Sequence, residues 1–241
     1  MTRPTLILVP CLTGAPWAVD ELSALREFHR VTLRLDDGRT DVESHAHDVL
    51  ALARAHAPFV LIGDSFGAQV ALAAAIRRPP GLCGLVMSGG FAANPVDDIW
   101  TKLKVMSAGL MPGVLYRKIV LPMHADLLAS SYDATGEKVW GRAETVALFR
   151  RNTSWRGYVA RTRATLAADY RRDLGQVDVP TLILTPADDK LIGAEAAGLL
   201  RQGIAGAEEV IIPATGHMFR FSHPESYSQA IGAFLSRKGL V

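Results

Sequence analysis

The pentapeptide G-D-S-F-G at residues 63–67 is the segment whose residue types and spacing indicate chemistry most directly. It stands between a short apolar run at 59–62, typical of a β-strand, and a helix-like run at 68–76. This G-x-S-x-G pattern predicts a nucleophile elbow, a sharp strand-to-helix turn that lifts the hydroxyl of Ser65 above the sheet edge. The glycines are expected because the serine backbone is strained and the helix packs closely behind it, so that a flanking Cβ would clash. Ser65 is therefore the predicted nucleophile.

Two later loops carry residues that could activate this serine. A serine hydroxyl is a poor nucleophile at neutral pH, and it needs a base within hydrogen-bond reach and a third group that fixes the tautomer of that base. The apolar run at 181–185 leads into P-A-D-D at 186–189, and the run at 210–212 is followed by P-A-T-G-H at 213–217. His217 is the predicted base, and Asp188 and Asp189 are both candidates for the acid.

Short apolar runs alternate with helical patterns along most of the chain. Continuous hydrophobicity is typical of strands in a parallel sheet covered on both faces, and the β-α-β order predicts a mostly parallel, doubly wound α/β fold. The predicted strands are residues 5–9, 31–35, 59–62, 82–88, 181–185 and 210–212. The predicted helices are residues 19–27, 42–57, 67–77, 194–202 and 224–236.

The alternation breaks once, between residues 91 and 165, where proline and glycine separate helix-like pieces. An insertion after the fourth strand would project beyond the carboxyl ends of the strands, where open α/β sheets bind ligands. We therefore predict a core of residues 1–90 and 166–241 with a helical lid insertion at 91–165; an ordinary helical subdomain is the alternative. The lid residues predicted to contact a substrate are Trp100, Met106, Leu110, Met111 and Tyr116.

The overall composition favours a globular protein, with 49% hydrophobic and 21% charged residues. The net charge of +2 gives no support to a nucleic-acid partner, and two cysteines fit a reducing compartment. No apolar run approaches the roughly 20 residues that span a bilayer, and the first run is too short for a signal peptide, so a cytoplasmic protein is expected. Because neither a phosphate loop nor a dinucleotide fingerprint is present, no cofactor or metal is predicted.

Over nearly its whole length, the chain resembles the α/β-hydrolase superfamily, and specifically its lidded, esterase-like members. The resemblance is clearest in three segments. They are V-L-I-G-D-S-F-G at 60–67, V-P-T-L-I-L at 179–184 and T-G-H at 215–217. The resemblance implies an α/β-hydrolase fold with a catalytic triad in the chain order serine, acid, histidine.

The resemblance also assigns roles to individual residues. Members usually carry G-x-x-D after the penultimate strand, which implies Asp189 as the acid; Pro186 replaces the glycine here, and Asp188 is the alternative. An oxyanion hole is implied at the backbone N–H groups of Phe66, directly after the nucleophile, and Leu12, after the first strand.

The implied activity is hydrolysis of a carboxylic ester, or a related thioester or lactone, through an acyl-enzyme on Ser65. The apolar lid favours a small-molecule substrate with an apolar portion. The same fold and triad also occur in hydrolases and lyases that cleave C–C bonds, and some members bind ligands without catalysis, so these remain alternatives.

Charge is unevenly distributed along the chain. Residues 91–165 carry 11 Lys plus Arg against 6 Asp plus Glu. A positive rim at the lid would attract an acidic substrate or an acidic carrier protein, whereas a solvated helical face is the alternative. The arginines that cluster toward the end of the lid are Arg150, Arg151, Arg156, Arg161 and Arg163.

Two further polar residues are not expected to take part in the reaction itself. Asp64 precedes Ser65, and because the nucleophile occupies the middle of the elbow, Asp64 is expected to provide polar support beside the site. His124 falls in the predicted lid and is expected to be a solvated histidine, with contact to the substrate as the alternative.

Overall fold

A six-stranded parallel sheet forms the centre of the computed structural model, which describes residues 3–94, 115–128 and 130–241. Within these ranges the order of its strands is β2-β1-β3-β4-β7-β8. The strands of this sheet are β1 (Thr5–Val9), β2 (Arg30–Thr32), β3 (Phe59–Asp64), β4 (Leu82–Ser88), β7 (Thr181–Pro186) and β8 (Glu208–Ile212). A separate antiparallel hairpin consists of β5 (Ser131–Tyr132) and β6 (Lys138–Trp140).

The central strands are buried along nearly their whole length because each of their faces lies against a different core. Along β1, Ile7 and Val9 belong to one cluster of buried side chains, whereas Leu6 and Leu8 belong to the cluster on the opposite face. Side chains alternate between faces along a strand, so continuous burial requires cover on both sides. The predicted doubly wound parallel sheet is therefore confirmed.

Helices supply that cover and enclose the sheet. The helices of the described residues are α1 (Val42–Ala53), α2 (Phe66–Ile76), α3 (Leu121–Leu127), α4 (Arg142–Asn152), α5 (Trp155–Ala167), α6 (Gly193–Gly203), α7 (Phe219–Ser222) and α8 (Pro224–Arg237). Helices α1, α2 and α6 contribute to the core that contains Ile7 and Val9. On the opposite face, α8 packs with a 3-10 segment, Val19–Leu25.

Several elements end earlier than the sequence predicts, among them the helix predicted at 19–27, which is a 3-10 segment that ends at Leu25. Strand β2 stops at Thr32, and the chain then turns so that the Leu35 N–H donates to the Gly14 carbonyl at 2.9 Å. Helix α1 stops at Ala53, before the predicted end at residue 57; it could not have included residue 57, because the residue before Pro58 is disfavoured in helical geometry.

The described part of the predicted lid is more varied than an all-helical insertion. It contains a π-helical turn, Tyr116–Val120, helices α3, α4 and α5, and the β5–β6 hairpin. The hairpin was not predicted, because strands of two and three residues are too short to show a hydrophobic period. The boundaries of the lid stay a prediction. The predicted substrate contacts Trp100, Met106, Leu110 and Met111 lie outside the described residues.

Candidate active site

Ser65 is located at the turn between β3 and α2. The strand ends at Asp64 and the helix begins at Phe66, so Ser65 alone makes the turn, with φ of 55° and ψ of −115°. Positive φ is a strained conformation for a residue that carries a side chain. On Gly67, a Cβ would collide with the carbonyl oxygens of Val9 and Pro10, which explains the glycine at that flank.

His217 joins Ser65 to an acid. Its Nε2 lies 2.7 Å from Ser65 Oγ, and its Nδ1 lies 2.7 Å from Asp189 Oδ2. The other oxygen of Asp189 accepts the N–H groups of Leu191 and Ile192 at 2.9 and 3.0 Å, which fixes the carboxylate in place. The Asp188 side chain is exposed, so Asp189 is the aspartate of the pair that contacts His217.

The His217–Asp189 pair is electrostatically coupled. Burial lowers the pKa of His217, but attraction to Asp189 prevails and raises that pKa above its ordinary value. Burial raises the pKa of Asp189, but His217 and the two backbone N–H donors outweigh burial. The pKa of Asp189 therefore lies below its ordinary value. A negative Asp189 therefore makes His217 a stronger base toward the hydroxyl of Ser65.

The loop that carries His217 is held by hydrogen bonds to the segment at 128–132. The His217 N–H donates to the Leu128 carbonyl at 3.0 Å, directly after α3. The Gly216 N–H donates to Ser131 Oγ at 3.0 Å, and the Tyr132 N–H donates to the Ala214 carbonyl at 2.9 Å. The hairpin and α3, rather than the sheet alone, thus set the position of the histidine.

The two predicted oxyanion donors lie at the same end of the sheet. Leu12 and Phe66 both line the cavity that contains Ser65. Within the part of the chain that the structure describes, neither backbone N–H donates a hydrogen bond to another protein group. Because Phe66 is the first residue of α2, its N–H lies at the positive end of the helix dipole.

Asp64 forms an ion pair that sequence reasoning missed. Arg220 Nε donates to Asp64 Oδ2 at 2.7 Å, and both side chains are buried. The Arg220 guanidinium lies 4.1 Å from the ring centroid of Trp17 and 3.9 Å from that of Phe221. Burial raises the pKa of Asp64 to about 7, whereas the charge of His217 and the hydrogen bond from Ser88 act to lower it. Arg220 carried only a weak signal, its position three residues after His217.

A cavity of about 490 Å³ opens above Ser65 and His217. Among the described residues, no Lys or Arg lines it, and Asp126 is a carboxylate of its wall. Tyr116 belongs to the π-helical turn whose residues Ile119 and Val120 line the cavity. Its apolar wall includes Phe91, Met123, Phe149, Leu166, Leu191 and Met218.

His124 does not fit the expectation of a solvated histidine. The ring is half-buried, lines the cavity, and its Nδ1 lies 3.0 Å from the hydroxyl of Tyr158. The expectation failed because α3 packs this face against α5, a contact between segments 34 residues apart that no local pattern indicates.

One arginine of the predicted basic rim is not at the surface. The Arg161 side chain has an exposed fraction of 0%, and its Nη1 donates to Asp37 Oδ1 at 2.8 Å. Since α5 turns this position toward the core, Arg161 cannot contribute to a solvent-facing rim. The remaining four arginines of the cluster, Arg150, Arg151, Arg156 and Arg163, are exposed.

The described residues offer neither a metal-binding cluster nor a membrane-crossing helix. They contain no group of three or more His, Cys, Asp or Glu side chains arranged to hold a metal ion. Across those same residues, no helix combines the length and the apolar character that crossing a membrane requires.

The chain belongs to the alpha/beta hydrolase family, whose model matches residues 6–230. The family that the sequence resembles is thus confirmed, and the protein is a hydrolase of the α/β fold.

Individual relatives differ in the reactions that their names describe. A Caulobacter sp. (strain K31) protein, provisionally named as the carbamate hydrolase RutD, is 28% identical over 257 residues, covering 97% of this chain and 91% of that protein. A 2-hydroxy-6-oxononadienedioate/2-hydroxy-6-oxononatrienedioate hydrolase of Pseudomonas sp is 25% identical over 224 residues, covering 91% of this chain and 76% of that protein. The crystal structure of the enol-lactonase from Burkholderia xenovorans LB400 shares the fold, with a TM-score of 0.74, 20% identity, and coverage of 98% and 92%.

Proposed function

We propose that the protein is a serine hydrolase that cleaves a carboxylic ester, or a related thioester or lactone, through an acyl-enzyme. The observation that carries the proposal is the continuous chain of contacts from Ser65 Oγ through both nitrogens of His217 to Asp189. Such a chain lets the histidine accept a proton from the serine while the acid stabilises the resulting positive charge.

The reaction would proceed in two halves. His217 Nε2 takes the proton of Ser65 as Oγ attacks the substrate carbonyl, and the Phe66 and Leu12 N–H groups hold the oxyanion. The C–O bond to the leaving group breaks as His217 returns the proton to the departing oxygen. A water deprotonated by His217 then attacks the acyl-enzyme, and Ser65 recovers its proton when the acid leaves.

Hydrolysis of p-nitrophenyl esters from acetate to octanoate tests this function. We expect chain-length-dependent turnover by the wild type, because the cavity wall is mainly apolar, and only background rates from Ser65→Ala. Wild-type protein that turns over none of these esters, or an equally active Ser65→Ala variant, contradicts the proposal. Tight binding of esters without turnover favours a non-catalytic, ligand-binding member of the family.

C–C bond hydrolysis is the second candidate, because the Pseudomonas relative is named for such a substrate. The named compound is a dioate, and no Lys or Arg among the described residues lines the cavity to pair with its carboxylates. Comparing kcat/KM for a vinylogous diketone with kcat/KM for p-nitrophenyl butanoate decides between the two: a C–C hydrolase prefers the diketone strongly.

An acidic carrier protein as acyl donor stays a prediction that depends on the exposed lid arginines. Replacing Arg150, Arg151, Arg156 and Arg163 with glutamate is expected to lower kcat/KM for a carrier-bound ester while leaving the free ester unchanged. Equal effects on both esters would remove the support for a carrier protein.

A further inference from the structure

Two polar side chains face the same cavity as Ser65 but have no part in the proposed hydrolysis. His124 on α3 and Tyr158 on α5 both line it, and they are hydrogen-bonded to each other at 3.0 Å. Both rings pack edge-on around Phe149, within an otherwise apolar part of the wall. A polar pair kept in such surroundings must be satisfied or must serve a ligand.

The pair is uncharged at neutral pH. Burial, followed by repulsion from His217, lowers the pKa of His124 to about 4. Burial also raises the pKa of Tyr158 above its ordinary value. A phenol is the stronger acid of the two and an imidazole nitrogen the better acceptor, so the Tyr158 hydroxyl donates to His124 Nδ1. The neutral imidazole then carries its proton on Nε2.

Within the described ranges, that Nε2–H is a donor without a protein acceptor. Among the described residues no group accepts a hydrogen bond from it, and the half-buried ring lines the cavity. His124 also lies one helical turn before Leu128, whose carbonyl accepts the His217 N–H. The donor is therefore fixed near the catalytic histidine, on the lid side of the same space.

We propose that His124, anchored by Tyr158, forms a subsite that binds an uncharged oxygen acceptor of the substrate, such as a keto or amide carbonyl. This inference rests on the proposed function and narrows its substrate class. A plain alkyl chain that covered this N–H would leave it unpaired, which is unfavourable. A free carboxylate would lack a cation among the described lining residues and would share the cavity with Asp126.

Esters of equal length test the subsite on either side of the scissile bond. On the acyl side, p-nitrophenyl 5-oxohexanoate is compared with p-nitrophenyl hexanoate and with the mono-p-nitrophenyl ester of adipic acid. On the alcohol side, 3-oxobutyl acetate is compared with butyl acetate. Each ratio of kcat/KM values is measured on one protein sample, so the fraction of folded enzyme cancels.

We expect the wild type to prefer the keto ester of at least one pair, and His124→Leu to reduce that ratio about tenfold, the effect of one lost hydrogen bond. Tyr158→Phe should reduce the same ratio because it releases the ring. His124→Gln, which keeps an N–H donor, should retain part of the preference. Met123→Leu changes an apolar residue of the same cavity and should leave the ratio unchanged.

The inference is overturned if His124→Leu leaves both ratios unchanged, or if the wild type prefers the adipate monoester to the keto ester. Calorimetric binding of the acyl-side esters to Ser65→Ala separates this failure from failure of the proposed function. A keto preference in binding that disappears in Ser65→Ala/His124→Leu supports the subsite even without turnover. Equal binding of keto and alkyl esters to Ser65→Ala argues against it.

Discussion

Arg161 and Leu12 are joined by a hydrogen bond of 2.8 Å between the guanidinium Nε and the backbone carbonyl, although they are 149 residues apart. The same guanidinium donates to the Thr13 carbonyl at 3.2 Å and to Asp37. Leu12 carries one of the two proposed oxyanion donors. Helix α5 therefore holds the loop that, in the proposed reaction, presents this N–H to the substrate.

Arg161→Met is expected to lower kcat roughly tenfold to a hundredfold, less than outright loss of an oxyanion donor, while KM changes little. The physical reason is that the Leu12 and Thr13 carbonyls lose their charged donor and the loop loses its fixed orientation. Affinity for a trifluoromethyl ketone, which forms a tetrahedral adduct with Ser65, should fall in parallel. Arg163→Met, two positions along α5 and exposed, is the matched control. An unchanged kcat in Arg161→Met would show that the loop keeps its geometry unaided.

Asp189→Asn is expected to reduce kcat by roughly 10³- to 10⁴-fold, because an amide no longer holds His217 in the tautomer that accepts the proton of Ser65. Asp188→Asn removes an exposed carboxylate next to it and should leave kcat within about twofold of wild type. Steady-state kinetics on p-nitrophenyl butanoate measures both. The reverse order of effects would make Asp188 the functional acid.

The pH dependence of kcat/KM should reflect the environment of His217. Only the neutral imidazole accepts a proton, so activity rises with pH, with a midpoint above the ordinary histidine pKa of 6.5 because Asp189 outweighs burial. In Asp189→Asn the midpoint should move to lower pH. Protonated His217 also stabilises the fold below its unfolded-state pKa, and this contribution is lost as pH rises through the folded-state value. Rates between about pH 5 and about pH 9 test this; a midpoint that the substitution does not move contradicts the assignment.

Asp64→Asn should destabilise the fold by roughly 3–5 kcal/mol, because it removes the charge of the buried carboxylate that pairs with the Arg220 guanidinium at 2.7 Å. Urea denaturation measures the free energy of unfolding. Asp169→Asn removes a solvent-exposed partner of Arg171 and is the control, for which little change is expected. If the two variants unfold alike, the buried pair does not stabilise the fold.

Short-range patterns were enough to predict the sheet and the loops that surround the candidate site. Continuous apolar runs identified the strands, with β1 and β4 predicted to the residue. Since parallel strands present their carboxyl ends at one edge, Ser65, Asp189 and His217 were expected to meet there, and they do. Their catalytic roles remain predictions that the kinetics above address.

The packing of distant segments could not be derived in this way. Nothing near Arg161 distinguishes it from the exposed arginines around it, because its burial depends on Asp37 and on the loop at Leu12, both far away in the sequence. The pairing of His124 with Tyr158 arises equally from the contact of helices α3 and α5. By itself the sequence determined the fold family and which residues follow each strand, since these depend on local periodicity and backbone sterics. Only the tertiary structure decided which side chains complete and line the cavity, since those contacts join segments that no local pattern relates.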